Sequence, residues 1–502
     1  MNKNLNRAKK AVVSFVIIAC FLAFMVFSCD FEPWYETRNF WAINFQGGSQ
    51  TYYQLEAQLM ANNDFVEIWV EKGIGVTETQ AKAVANEYKN NMYSKMINAF
   101  GWDDFGLDTM GWADFFGNDD GKLTILILDI KDNYSTTNAY VGGYFLWLDF
   151  LGDGQVSGHR SNQRDMIYMR GTAPFTVGSQ EFYDTLAHEM QHIMNFATTL
   201  YLRSDLNDQG QIIDWHPMDT WIDEGLSESA SYVYSGNHNM GRINWYNNGS
   251  GSLISKGNNF YIWNNRVGSG LHQSQVAVLD DYATVYLFFQ WMRSHWGNPI
   301  FSQISISEDS NYEAVVEAVK SKNGALNTWE KILETWLAAN NIQASGSNGV
   351  NLLGYANDST LNTLTKHYIH GIGQETYALF PGEGVYSVIS ETPIFTNNGN
   401  ILHRFLSSGV AEGYTTQNVM LTFNKNHLLT LTTEPGYITD IPPTASIIPS
   451  ASWIDQPFTG PYQIGAFDLI RQNGGNTIQY NTVPNFSLNE SRIGLFPYRG
   501  TR

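Results

Sequence analysis

The chain has almost no cysteine. Only Cys20 and Cys29 occur among 502 residues, and both lie near the amino terminus. A disulfide framework is therefore excluded for the body of the protein, whose stability must come from an apolar core. The length is ample for such a core and favours roughly two or three domains.

Positive charge is also scarce. The sequence has 29 Lys and Arg residues against 48 Asp and Glu, a net charge of −19. Residues 1–28 hold four of the positive charges and no acid, so their removal would give −23 (−19 − 4). Because such a surface repels a phosphate backbone, nucleic acid is not expected as a partner. The composition suits an exported, soluble protein that tolerates cations.

The amino terminus has the layout of an export signal. Residues 1–10 are polar and basic, and the apolar run from Ala11 to Ser28 ends directly before Cys29. A basic region, an apolar region and a small residue before the cut predict a signal peptide over 1–28. Cysteine after that small residue resembles a bacterial lipoprotein signal, which implies lipidation of Cys29, membrane attachment and a location in the bacterial cell envelope, or secretion. An uncleaved anchor is the alternative, because about 18 apolar residues are borderline for spanning a bilayer. Both interpretations place the body outside the cytoplasm.

The stretch from Tyr183 to Leu200, YDTLAHEMQHIMNFATTL, is the most informative about function. Apolar residues recur there at helical spacing, and Asp184 or Thr185 is available as a cap, so the stretch predicts a mostly buried helix. The apolar positions are Leu186, Met190, Ile193 and Ala197.

Within that helix lies an HExxH pentapeptide. His188 and His192 are four residues apart, so both can present a ring nitrogen to one metal ion. Glu189 lies one residue round, within reach of a water molecule at the metal. Short motifs also arise by chance, and these three would then be ordinary helix residues. A third ligand is needed to decide between a metal site and a chance match.

A third ligand is offered by the segment WIDEGLSESA at 221–230, which also predicts a helix, capped by Asp219 and ended by Gly236. Glu224 lies 32 residues beyond His192 (224 − 192), far enough for a second helix to reach the metal. Glu228 follows on the same face, where it can accept the other ring N–H of His188. The alternative is that Glu224 and Glu228 are two exposed acids with no role at a metal. Like charges at this spacing repel, however, and a nearby cation would relieve that repulsion.

HEMQH followed by DEGLSES resembles the gluzincin metallopeptidases, and most closely their hyicolysin-like branch of bacterial extracellular enzymes. The resemblance covers about residues 40–340. It implies a zinc-dependent endopeptidase with one Zn²⁺ on His188, His192 and Glu224, with Glu189 as general base and Glu228 orienting a histidine. It departs from thermolysin-like enzymes in having aspartate rather than asparagine at Asp223, and glutamate rather than aspartate at Glu228.

The resemblance also implies a substrate strand and an oxyanion donor. An edge strand near Met166 to Met169 would receive the peptide substrate by strand addition. A neutral donor would stabilise the oxyanion, and Tyr282 is favoured because Asp280-Asp281 can cap its helix and leave it in the first turn. The remaining candidates are His238, His272 and Tyr286. Alternatively, both tyrosines are core aromatics.

The predicted fold class is α+β, a zincin-like mixed sheet with the HExxH helix, then a helical subdomain, then an all-β module. A tether over 29–53 precedes a peptidase domain over 54–343, with an upper part 54–200 and a lower part 201–343. Residues 344–349 are predicted as a linker and 350–502 as the β-rich module. Strands are predicted over 64–71, 122–130, 165–169, 419–423 and 428–432, helices over 77–99, 281–296 and 327–340, and a loop over 236–270.

Two acidic, glycine-rich stretches, Asp114 to Lys122 and Asp149 to Gly158, admit Ca²⁺ as a second metal. Such sequences are first of all turn signals, and neither stretch has the EF-hand spacing. In the carboxyl-terminal part, His367, His370 and His403 are interpreted as structural or solvated. The alternative to an enzyme is a surface adhesion lipoprotein whose zincin-like domain is catalytically idle.

Overall fold

The computed structural model describes residues 35–46, 51–102, 121–132, 134–137, 140–208, 212–248, 278–346, 352–367, 378–379, 382, 384–389, 401–406, 418–425, 436–437 and 467–468. Several sequence predictions fall outside the described residues. They are the signal peptide, Cys29, most of the stretch from Asp114 to Lys122, residues 249–270 of the predicted loop, His272, residues 347–349 of the linker, His370 and the strand over 428–432.

The described strands are β1 Thr37–Asn44, β2 Thr51–Asn62, β3 Val66–Glu71, β4 Leu123–Leu128, β5 Gly143–Phe145, β6 Met166–Arg170, β7 Ser204–Leu206, β8 Ile212–Trp215, β9 Ala378–Leu379, β10 Gly384–Ile389, β11 Ile401–Leu406, β12 Asn418–Asn424, β13 Gly436–Tyr437 and β14 Phe467–Asp468.

The described α-helices are α1 Glu78–Glu87, α2 Tyr93–Ala99, α3 Tyr134–Thr137, α4 Gln180–Leu202, α5 Thr220–Ser235, α6 Met240–Asn248, α7 Val278–Trp296, α8 Pro299–Ser305, α9 Tyr312–Lys322 and α10 Trp329–Ile342. A π-turn over Tyr88–Met92 joins α1 to α2, and 3₁₀ turns lie at Trp147–Phe150 and Leu361–Thr363. None of these helices is long and apolar enough to cross a bilayer, within the ranges given above.

A mixed seven-stranded sheet organises the first half of the chain, in the order β1-β2-β3-β4-β6-β5-β14. Strands β3, β4 and β6 run parallel, whereas β2 and β5 are antiparallel to their neighbours. Along β4, Ile125 and Ile127 join the main core while Leu126 and Leu128 join a second core on the other face. Since alternate side chains point to opposite faces, both faces are buried, and the strand predicted over 122–130 is confirmed.

The tether prediction is wrong for part of its range. Residues 37–44 and 51–62 are strands of the sheet, and Phe40, Ala42 and Ile43 are buried in the second core. Burial along β1 does not alternate, because Thr37 to Asn39 are exposed while Phe40, Ala42 and Ile43 are buried, so no period-2 pattern reveals this strand in the sequence.

The predicted helix over 77–99 is present as two α-helices around the π-turn. Thr77 and Gln80 form a capping box, because the Thr77 hydroxyl accepts the backbone N–H of Gln80 while the Gln80 side chain accepts that of Thr77. Helix α10 is also capped by a threonine. Thr328, rather than Asn327, accepts a backbone N–H of the first turn, from Lys331.

The role predicted for Met166 to Met169 as an edge strand is wrong. Strand β6 pairs with β4 on one side and with β5 on the other, so both of its hydrogen-bonding edges are occupied. The antiparallel β5 lies beyond it, contacts α4, and pairs in turn with β14. An edge strand in a buried cleft would have a sequence as apolar as that of β6. Only the pairing of β6 with its neighbours therefore distinguishes an edge strand from a central strand.

The two acidic residues of the stretch 149–158 make internal hydrogen bonds, and the calcium interpretation of this stretch stays a prediction. The Asp149 carboxylate accepts the Tyr168 hydroxyl and the Asn162 N–H, each at 2.6 Å, and burial raises its pKa to about 7. Asp153 accepts Arg160 Nε at 2.8 Å and the Ser161 N–H at 3.0 Å. Both carboxylates therefore serve as internal acceptors that close the loop.

The carboxyl-terminal described residues share the core of the helical part. Residues 352–367 are turns held on α7, where Trp291 Nε1 donates to Leu352 O at 3.0 Å and His295 Nε2 donates to Gly354 O at 2.8 Å. A three-stranded sheet, β10-β12-β11, packs on α10, with the Tyr386 hydroxyl donating to Leu337 O at 2.6 Å. The predicted strand over 419–423 is confirmed as β12. The boundary predicted at 350 is therefore not a boundary of packing, and an all-β module remains a prediction.

Close packing of α5 on α7 depends on Gly225. A Cβ atom added at Gly225 would overlap the Phe289 ring, which is fully buried in the core and cannot easily move. The absence of a side chain at this position therefore lets α7 approach α5 next to Glu224.

We expect Gly225→Ala to lower the free energy of unfolding by about 1–3 kcal/mol, the usual cost of overpacking a core. Thermal denaturation of the variant measures this. Phe289→Leu is the matched partner, because it shortens the clashing ring, and the double variant should lose less stability than the sum of the two single variants. Additive losses would contradict the proposed clash.

Candidate metal centre

Helix α4 carries the HExxH residues and is buried nearly all round. It begins at Gln180 and is capped by Ser179, whose hydroxyl accepts the Phe182 N–H at 3.2 Å, so the cap predicted at Asp184 or Thr185 is wrong. Residues 185–199 are all buried. The apolar stripe visible in the sequence is therefore only part of a helix that is enclosed by other elements on every side.

Helix α5 brings the third predicted ligand to the same place. It is preceded by Asp219, as predicted, although the Asp219 side chain makes no capping bond, and it ends at Gly236, whose φ of 73° is left-handed. Glycine adopts that conformation without strain, which explains the helix end. The two helices α4 and α5 pack along their lengths.

Among the described residues, His188, His192 and Glu224 form the group whose ligand atoms converge, all within 4.8 Å of one another. Glu224 Oε2 lies 3.4 Å from His188 Nε2 and 3.6 Å from His192 Nε2. Ligands at tetrahedral zinc, with bonds near 2.0–2.1 Å, are separated by about 3.4 Å. The two carboxylate-to-imidazole distances therefore match a zinc site.

The two imidazoles face each other with Nε2 atoms 2.9 Å apart, and their outer nitrogens point to carboxylates. His192 Nδ1 lies 2.9 Å from Asp223 Oδ2, and His188 Nδ1 lies 3.6 Å from Glu228 Oε1. With Nδ1–H directed at an acid, each Nε2 presents a lone pair to the centre. At this distance the two Nε2 atoms share a proton, and a cation bound there would displace that proton.

The pKa values reflect the same crowding. Burial raises the pKa of Glu224 to about 7. Burial also lowers the pKa of His188 well below its usual value. For His192 burial acts in the same direction, but the Asp223 and Glu224 carboxylates outweigh it and raise that pKa. A divalent cation would take the place of protons that these groups otherwise share.

Glu189, the predicted general base, is fully buried on α4 between the two histidines in sequence. Glu189 is not among the three residues whose ligand atoms converge. Its burial excludes bulk water from the carboxylate.

Arg242, at the start of α6, was not expected from the sequence. Its Nε donates to Glu228 Oε2 at 2.8 Å and its Nη2 donates to Glu228 Oε1 at 2.5 Å. A bidentate pair of this kind fixes both carboxylate oxygens. The Arg242 guanidinium also lies 4.5 Å from the centre of the Tyr282 ring. Arg242 thus fixes the Glu228 carboxylate, of which Oε1 lies 3.6 Å from His188 Nδ1.

Asp223, which the sequence comparison with thermolysin-like enzymes marked only as a departure, holds the other histidine. It is buried, and it accepts both His192 Nδ1 and Asn195 Nδ2. Ser227 Oγ lies 3.0 Å from the same His192 nitrogen. Asp223 directly precedes the predicted ligand Glu224, and this position could have identified it from the sequence. Arg242 follows a separate turn, and no sequence pattern links it to the site.

Tyr282 lies beside Glu224 and His188, and its position in the helix differs from the predicted one. Its hydroxyl donates to Glu224 Oε1 at 3.4 Å, and its ring lies 6.4 Å from that of His188. Helix α7 begins at Val278, so Asp280 and Asp281 lie within the helix and Tyr282 lies in its second turn.

The other described oxyanion candidates are engaged elsewhere. His238 Nδ1 lies 3.0 Å from the Tyr286 hydroxyl, and His238 Nε2 lies 2.8 Å from Asp358 Oδ2. The Tyr286 hydroxyl also accepts the Asn239 N–H. His367 Nε2 donates to Tyr246 O at 2.6 Å, which fits the structural role predicted for it.

Comparison with known proteins finds one relevant similarity. The chain is 28% identical over 324 residues to the neutral metalloprotease ShpI of Staphylococcus hyicus, which covers 63% of this chain and 65% of that protein. The match thus spans slightly less than two thirds of the relative's length. No family model matches the chain. The chain is therefore similar to a metalloprotease over the part that contains a three-residue cluster able to hold a metal ion.

Proposed function

We propose that this protein is an exported, lipid-anchored, zinc-dependent endopeptidase. The observation that supports it best is the convergence of three atoms between α4 and α5, namely His188 Nε2, His192 Nε2 and Glu224 Oε2. Glu189 lies on α4, the helix that carries the two histidines, and is buried. Three protein ligands with a position left open characterise catalytic rather than structural zinc sites. Similarity to a metalloprotease of Staphylococcus hyicus supports the same activity.

His188, His192 and Glu224 would hold the zinc ion, since two imidazoles and one carboxylate are a donor set that zinc prefers. When bound, zinc supplies a Lewis acid that polarises the scissile carbonyl and acidifies water. Glu189 takes a proton from the attacking water and returns it to the leaving amine. The buried setting of Glu189 suits this exchange, because bulk water does not compete for the proton.

The remaining residues orient the centre. Asp223 and Glu228 hold the Nδ1–H tautomers of His192 and His188, so that both Nε2 atoms face inward. Tyr282 would donate its hydroxyl proton to the oxyanion that develops on the substrate, and its 3.4 Å contact with Glu224 Oε1 supports that role.

Export and anchoring rest on the sequence of residues 1–29, with its basic region, apolar region and Ser28-Cys29. Signal peptide cleavage before Cys29 and lipidation of that cysteine would attach the domain to a bacterial membrane. Peptides and proteins outside the cytoplasm would then be its substrates.

Substitutions should separate ligand from base. Wild-type protein should hold about one zinc per molecule, as a three-ligand site does, and His188→Ala and His192→Ala should lose it. Glu224→Ala should bind zinc more weakly because one ligand is missing. Glu189→Gln should retain zinc while activity falls by roughly 10²-fold or more. Metal analysis and a peptidase assay on protein from residue 30 onward measure both quantities.

Two results would contradict these roles. Equal zinc loss in Glu189→Gln and Glu224→Ala would mean that the base and the ligand are misassigned. Zinc binding without hydrolysis of any peptide by the wild type would favour a surface adhesion protein with an idle centre.

Tyr282→Phe removes only the hydroxyl, so kcat should fall by roughly 10- to 1000-fold with zinc content and melting temperature little changed, as for loss of one oxyanion donor. Tyr286→Phe is the matched control on the same helix. Its hydroxyl bonds His238 and Asn239, so stability should decrease while kcat is kept. A Tyr282→Phe enzyme with wild-type kcat would move the donor role to another residue.

Lipidation is tested by growth of a competent bacterial host with a labelled fatty acid. Wild type and Cys20→Ala should be labelled, because Cys20 lies within the apolar region, whereas Cys29→Ala should not. An unlabelled wild type, or a labelled Cys29→Ala variant, would favour an uncleaved anchor.

A further inference from the structure

We propose that Asn195 and Arg203 are positioning residues of the metal centre: Arg203 orients the Asn195 amide, which fixes Asp223 and, through it, the ligand His192. This inference rests on the proposed zinc site. It concerns residues that do not touch the metal, and it accounts for why an aspartate can be buried at position 223.

The sequence places the three α4 partners on one stripe of the helix. Asn195 lies three residues after His192, and Arg203 lies eight residues after Asn195, at the carboxyl-terminal cap. Residues at i, i+3 and i+11 share a face of an α-helix. That face is the one on which His192 meets α5, so all three residues are directed toward Asp223 or the layer behind it.

The contacts form a continuous chain. Arg203 Nη2 donates to Asn195 Oδ1 at 2.8 Å, which leaves the amide nitrogen on the opposite side. Asn195 Nδ2 donates to Asp223 Oδ1, and Asp223 Oδ2 accepts His192 Nδ1–H at 2.9 Å. Because an amide has distinct donor and acceptor ends, the guanidinium decides which end faces Asp223.

Burial makes the order of this chain energetically important. Asn195, Arg203 and Asp223 are all buried. A buried carboxylate requires donors on both oxygens, and Asp223 receives one from His192 and one from Asn195. Burial lowers the pKa of Arg203 to about 10, and the Asp223 charge acts against that effect, so the cation and the anion stabilise each other across the amide.

Arg203 also has an anchoring role, which the test must separate from positioning. Its Nη1 donates to Ser305 O at 3.2 Å and to Ser307 O at 2.9 Å, and its Nη2 donates to Thr199 Oγ1 at 2.9 Å. The bonds to Ser305 and Ser307 hold the end of α4 against the end of α8 and the residues that follow it. An exclusively structural role would change stability without changing the affinity of the metal centre.

The test is a double-mutant cycle on zinc affinity. Asn195→Leu keeps the volume but removes the donor, and Asp223→Ala removes the acceptor. Each should weaken zinc binding by roughly 10- to 100-fold, as for loss of a partner of a liganding histidine. If Asn195 acts through Asp223, the double variant should bind zinc about as weakly as Asp223→Ala alone.

Zinc affinity is measured by competition with a chelator, and the visible absorption of the Co²⁺-substituted protein reports ligand geometry. Asn195→Leu should shift the Co²⁺ spectrum. Thr199→Val is the matched control, since it removes one Arg203 bond on the same face without reaching Asp223. It should lower the melting temperature and leave the zinc affinity within about twofold.

Asn195→Ser serves if Asn195→Leu does not fold, because serine is too short to bridge to Asp223. Wild-type zinc affinity in the Asn195 variants, or additive losses in the cycle, would overturn the inference while the proposed function stands. A wild-type protein that binds no zinc would overturn the proposed function itself.

Discussion

The structure depends on the burial of several charged groups between α4 and α5. Four carboxylates, from Glu189, Asp223, Glu224 and Glu228, lie buried with His188 and His192 in a space that excludes water. Ionised groups are tolerated in such surroundings only when each has an opposite charge or hydrogen-bond donors. Arg242 supplies this for Glu228, and Asn195 with Arg203 behind it supplies it for Asp223. Glu224 and the two inward Nε2 atoms are then what remains for a cation.

The packing around these helices follows from that arrangement. The close approach of α7 at Gly225 brings Tyr282 to the Glu224 carboxylate, next to the HExxH helix. The cost of ordering so many polar side chains must be offset by the apolar core around them, which extends from the sheet to the C-terminal strands β10 to β12. Strands β10 to β12 thus belong to the apolar core that supports the helices.

Similarity to a known protein and geometry contribute different evidence. An identity of 28% to a metalloprotease over 63% of the chain indicates the class of chemistry. The geometry adds which atoms converge, and it identifies the groups behind them that are particular to this chain, namely Asp223 with Asn195 and Glu228 with Arg242. The two pairs differ in their donors. On the side of His192 the Asn195 amide donates to Asp223, and on the side of His188 the Arg242 guanidinium donates to Glu228.

The sequence by itself determined the features that depend on neighbours along one helix. His188 and His192 share a face because helical geometry repeats every 3.6 residues, and Gly236 ends α5 because its φ is left-handed. Strand β4 could be recognised because both of its faces are apolar. Only the tertiary structure decided which strand is flanked on both sides, where Arg242 meets Glu228, and that Asn195 reaches Asp223. Those contacts join residues of different elements, so the periodicity along any one element does not encode them.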